Sequence, residues 1–224
     1  MLNSGINLVV GLALLLVWRS DRAQQFPGWM GASFVVQAIS PVAFLAWSVP
    51  ALNALGFWAL AVAGATSLAL WLIGAAYLAG RSVTRAQGLI GWAALTTVAA
   101  LALEVSPRFA QGISATLTTL AALLALAWVF KRGRYERAAA IAMLLLGLNQ
   151  FIWVVHGNAG LPLQATIAAV LRVVLGFALL HAALQRRHGE SGQMRDQFMH
   201  LIERSHQGIA VMQGEAMKDR KSVV

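Results

Sequence analysis

Seven stretches of apolar residues, each long enough to cross a bilayer, constrain what this chain is able to fold into more than any other feature. They run over Leu2–Trp18, Trp29–Val49, Leu55–Ala79, Leu89–Val105, Ile113–Phe130, Ala138–Val155 and Leu161–Leu184. A helix needs about 20 residues, within a range of roughly 17–25, to traverse the hydrocarbon region. Backbone amides there have no water to bond, so each stretch must be helical, the one conformation that satisfies them within a single segment. The first is short and carries Asn3, Ser4 and Asn7 near its start. The connections are brief, which predicts consecutive helices packed as antiparallel neighbours. The expected fold class is therefore an all-α membrane protein, a seven-transmembrane-helix bundle over residues 1–184.

Composition enters as a check. The chain of 224 residues is 59% hydrophobic and 11% charged, with mean hydropathy +0.69. Soluble domains run at about 45–50% apolar and about 25% charged, so most of this surface must face lipid. A soluble enzyme and a nucleic-acid-binding module are excluded for the bulk of the chain. There are no cysteines, which removes disulfides, thiolate metal sites and cysteine nucleophiles.

The net charge of +9 arises from 17 Lys+Arg against 8 Asp+Glu, and the basic residues fall between the apolar runs. Arg19, Arg22, Arg81, Arg85, Lys131, Arg132, Arg134, Arg137, Arg186 and Arg187 occupy odd-numbered connections or follow the last span, whereas the even-numbered connections hold only Arg108. Lys and Arg accumulate in cytoplasmic loops. The N-terminus is therefore expected outside and the C-terminus in the cytoplasm, and no nucleic-acid partner is implied. Trp18, Trp29, Trp92 and Trp128 fall near expected inner ends, and Trp47, Trp58 and Trp153 near outer ones, as an aromatic belt requires. Ala61, Ala65 and Ala69 recur at a spacing that lets helices approach closely.

Arg172 lies about eleven residues into the seventh span, near mid-membrane, where an arginine costs roughly 2.5–3.5 kcal/mol on insertion scales. It is expected to face the bundle interior and find a partner. The antiparallel sixth span places Asn149 and Gln150 at similar depth, with amide oxygens suited to accept from the guanidinium. Gln37, in the second span, is able to join them. This cluster reads either as a ligand-sensing or switching site, or as a hydrogen-bond network pinning helices together. Glu104 lies at the outer edge of the fourth span. His156 and His181 fall near opposite ends of their spans and cannot share a metal or haem, so neither cofactor nor metal is expected. No lysine within a span offers a retinal Schiff base. Nor are there paired carboxylates, an HExxH motif or a nucleophile elbow, and no enzymatic activity is expected of these residues.

After Leu184 the composition changes. Residues 185–193 (QRRHGESGQ) read as a polar linker. Met194, Phe198, Leu201 and Ile202 then recur at helical spacing, and Ile209–Met212 follows as an apolar strand. The run Phe198-x-x-Leu201-Ile202-Glu203-x-Ser205-x-x-Gly208-Ile209-Ala210-Val211-x-x-Gly214-Glu215 resembles the opening of a PAS domain, a helix leading into a first strand and hairpin. A seven-helix region with outer N-terminus feeding a cytoplasmic PAS domain is similar to bacterial membrane sensors that end in GGDEF diguanylate cyclase or histidine kinase modules. The stretch around Asn53, Gly56 and Gly80-Arg81 is also like several diguanylate cyclase membrane regions. The resemblance implies a sensory input region in the bacterial cytoplasmic (inner) membrane, relaying an unknown small-molecule or membrane stimulus to an output module. A diguanylate cyclase is implied ahead of a kinase. It further implies a homodimer joined through Met194, Phe198 and Leu201, on a signal-relay helix that also carries Ile202. Residues 194–215 would be only a truncated α/β start of the PAS fold, and Ala216–Val224 (AMKDRKSVV) resembles translated adapter sequence, so a fragment of a longer protein is expected. The alternative is a small multi-span transporter or channel-like protein.

Overall fold

A computed structural model describes residues 2–130 and 132–187; the linker, PAS and relay-helix expectations, including Met194, Phe198, Leu201 and Ile202, lie outside the described residues. The chain divides into two units, Met1–Ala183 and Leu184–Val224, and the first holds the helical bundle. Every regular element among the described residues is helical. Seven helices are long and apolar enough to cross a membrane: α1 (Asn3–Ser20), α2 (Gln25–Ser48), α3 (Pro50–Leu78), α4 (Arg85–Val105), α5 (Pro107–Val129), α6 (Arg134–His156) and α7 (Leu161–Arg187). They coincide one for one with the seven apolar stretches, which makes the chain compatible with a multi-pass helical membrane bundle.

Local chemistry sets several of the helix ends. Thr84 forms a capping box with Gln87, its Oγ1 accepting from Gln87 N (3.2 Å) while Gln87 Oε1 accepts from Thr84 N (3.0 Å). Ser106 accepts from Phe109 N (3.1 Å), and Pro107 occupies the first turn, where its missing N–H is harmless. The expected α5 began only at Ile113, because hydropathy alone does not register such a cap. At the far end of α3, Gly80 adopts φ +76°, and Arg81 N donates to Ala76 O (2.8 Å) to close a Schellman turn. Helix α6 starts at Arg134, so Glu136, expected in a loop, belongs to a helix and is only 7% exposed.

Consecutive helices α1 to α6 pack against one another in chain order, and α3 also touches α5, which leaves α4 peripheral with Ala102 alone buried. Helix α7 closes the ring. It meets α1 where Asn3 Nδ2 donates to Ala165 O (3.2 Å), and α6 where Tyr135 stacks on His181 at 5.0 Å. Small residues permit the close crossings that lipid-embedded helices rely on. Gly11 and Gly31 face each other so tightly that a Cβ on Gly31 would lie 2.8 Å from Gly11 O. Ala61, Ala65 and Ala69 are all buried, and Ser33 Oγ donates to Ser67 O (2.8 Å) across α2 and α3.

The two halves of the bundle differ. The apolar core gathers Leu14, Phe26, Met30, Leu78, Val129, Met143 and Leu179, all from the half that carries the basic connections. At that basic end Arg22 lies over Trp18 and Arg81 over Trp128, each 4.4 Å from the ring centroid. Several indoles do something other than reach for an interface: the Nε1 atoms of Trp18, Trp29 and Trp153 are buried without a partner among the described residues, and Trp92 donates to Thr66 Oγ1 (2.8 Å).

Candidate functional site

The half that carries the N-terminus is not filled in the same way. Polar residues from six helices project into its interior: Asn3 and Asn7 from α1, Gln37 and Ser40 from α2, Ser67 from α3, Gln111 and Ser114 from α5, Asn149 and Gln150 from α6, and Gln164 and Arg172 from α7. Together they line a cavity of about 510 Å³, within the roughly 300–1,000 Å³ typical of ligand sites. Trp71 belongs both to this lining and to the apolar core, so it forms the floor. No acidic side chain is among the lining residues.

Arg172, Asn149, Gln150 and Gln37, singled out from sequence, all line this one cavity. Their bonding differs from expectation. Arg172 makes no hydrogen bond or ion pair among the described residues, and its buried Nη1 is without a partner. Gln150 turns instead to α5, its Oε1 accepting from Gln111 Nε2 (3.3 Å) and Ser114 Oγ (3.4 Å). Asn149 turns to α7, its Nδ2 donating to Gln164 O (3.0 Å). The cause lies in the backbone. Helix α6 is interrupted at Gln150, whose N–H bonds Gly147 O (3.1 Å) in a tightened turn before the helix resumes at Phe151–His156. Irregular backbone at membrane depth is tolerated where it lines a cavity or is buried in protein, and the break aims the two amides at different neighbours.

Nine buried side-chain polar atoms lack a partner among the described residues, and four of them belong to this lining: Asn3 Oδ1, Asn7 Oδ1, Asn149 Oδ1 and Arg172 Nη1. Asn7 is 3% exposed and Asn149 6%. Leaving such a group unsatisfied costs roughly 1–3 kcal/mol, and more when it is charged. That concentration distinguishes the cavity from an ordinary packing gap. It combines a cationic donor with three amide acceptors.

No protein-family model matches the chain, and no curated protein or solved structure matches it either. The site must be read from its own chemistry. Its α1 contribution was hidden in the sequence, since Asn3 and Asn7 look like flaws in a short span until α1 is set beside α7. Gln111 and Ser114 lay before the expected start of α5 or at its very edge. The remaining candidates lie elsewhere: Glu104 is exposed, and His156 and His181 are exposed near opposite ends of the bundle.

Proposed function

We propose that this bundle is the membrane-embedded sensory input region of a bacterial signal-transduction protein, with the polar cavity as its stimulus site. Helix α7 would relay occupancy toward a PAS and output module, a diguanylate cyclase ahead of a histidine kinase, as the resemblance of residues 198–215 suggests. The observation that supports this reading is the course of α7. A single uninterrupted helix carries Arg172 at the cavity and Leu175, Leu179 and Ala182 in the core, then runs on to Arg187. Packed cores switch between discrete arrangements rather than deforming smoothly, so a ligand held at Arg172 is in a position to bias how α7 seats. The apolar core beneath the cavity also argues against a continuous aqueous pore.

These 224 residues contain no cysteine, so F198C supplies a single reporter of protomer contact within them. In membranes, Arg172→Gln and Asn149→Ala should each change the rate of F198C disulfide formation severalfold. Identical rates in all three backgrounds would remove the reading. The interruption of α6 supports a second reading, transport, since broken helices form substrate sites in secondary transporters. Succinate uptake into proteoliposomes that Arg172→Gln abolishes would favour it.

A further inference from the structure

The polar cavity has an apolar neighbour. A pocket of about 250 Å³ lies between α3, α4 and α5, lined by Leu95, Val98, Leu103 and Leu117 among others. Apart from Gln111, Ser114 and the indoles of Trp47 and Trp153, its lining is apolar. Phe44, Leu60, Gly64, Leu68, Gln111 and Ser114 line both spaces, so the two adjoin across these side chains. The polar one holds a guanidinium and three amide oxygens that lack partners among the described residues; the other is walled mainly by hydrocarbon.

We infer that the occupant is an amphiphile with an anionic head group, which also offers an N–H or O–H donor, and an acyl body. This rests on the cavity being a ligand site, the reading proposed for the sensor. The anion is required by Arg172, because a buried cation with no acidic neighbour is satisfied only by a charge brought to it. The donor is required by Asn3, Asn7 and Asn149, whose free oxygens accept but cannot be met by a carboxylate or phosphate. The acyl body follows from the second pocket, where a hydrocarbon chain removes apolar surface from water without leaving a polar group unpaired. A polar metabolite would leave that pocket unfilled, and a neutral lipid would leave Arg172 unpaired.

Two sources supply this chemistry, a free acylated acid and an anionic phospholipid of the bilayer. N-Dodecanoylglycine carries a carboxylate, an N–H and a chain. It should bind the full chain in phosphatidylcholine nanodiscs saturably, by calorimetry. Its methyl ester, without the charge, and N-acetylglycine, without the chain, should each bind at least tenfold more weakly. Arg172→Gln should abolish the preference for acid over ester and keep the helical circular dichroism of the parent. Competition by a few mole per cent phosphatidylglycerol would assign the occupant to the bilayer, and absence of competition to a free amphiphile; either accords with the inference. Equal affinity of acid and ester for the native chain, or an undiminished preference in Arg172→Gln, overturns it. The native-chain comparison holds even should the variant fail to fold. If the probe does not bind yet F198C crosslinking still follows cavity substitutions, the amphiphile is wrong and the sensor reading stands. If it binds but crosslinking never moves, the reverse holds.

Discussion

Arg172 is placed where it works against insertion and receives nothing from its neighbours in return. A guanidinium near the middle of a span costs roughly 2.5–3.5 kcal/mol on insertion scales, and its Nη1 has no partner among the described residues. A residue kept for structure should be destabilising to remove, whereas one kept for binding should not. Arg172→Leu is therefore expected to raise resistance to unfolding by about 2 kcal/mol, the sign that the desolvation cost of an unpaired buried charge dictates. Detergent-driven unfolding in mixed micelles measures this, and a clear loss of stability would make Arg172 a structural residue. Two glycines give a contrasting pair. A Cβ at Gly147 would meet Thr119 N and Cα at 3.0 Å, so Gly147→Ala should cost about 1–3 kcal/mol by overpacking α5 against α6. At Gly64, which lines both pockets, nothing lies within 4 Å of a new Cβ. Gly64→Ala should be neutral or stabilising by about 0.5–1 kcal/mol through helix propensity.

At the scale of the elements, the broken α6 is the feature that organises the site. Gln150 joins α6 to α5 through Gln111 and Ser114, and such interhelical bonds average about 0.6 kcal/mol in a bilayer, reaching about 1.7. Gln150→Leu and Gln111→Leu should each weaken the fold by that order, and the double variant should lose clearly less than the sum. Additive losses would show that the side chains act separately. The elements themselves were legible because lipid imposes one rule on all of them: a run of some 20 apolar residues must be a helix. Arg172, Asn149, Gln150 and Gln37 were legible for the same reason, since polar side chains stand out in such runs. Their bonding was not. It depends on the turn at Gln150, where no Pro marks a break, and on α1 lying against α7, which no periodicity encodes. Glu136 escaped notice because the expected span began at Ala138, whereas the helix extends past hydropathy's edge to Arg134.

The helical bundle is polarised along its axis. A polar cavity occupies the half with the N-terminus, and an apolar core fills the half with the basic connections. Such a division would suit the proposed sensor, which receives at one surface and reports at the other. In the proposed orientation the positive-inside rule would place Arg19, Arg81, Arg132 and Arg187 on the cytoplasmic face, and the seatings of Arg22 on Trp18 and Arg81 on Trp128 hold cations at that end. Alkaline phosphatase, active only once exported, should therefore be inactive when fused after Ser20, Gly80, Gly133 or Arg187. It should be active after Ser106 or Gly160, at the opposite end. The Ser106 and Arg187 fusions are decisive together, because three helices separate them and an odd number of crossings must put them on different sides. Equal phosphatase activity at both would mean that one of α5, α6 or α7 fails to cross. The cavity would then lose the wall that Arg172, Asn149 and Gln111 give it, and the sensor reading would fall with it.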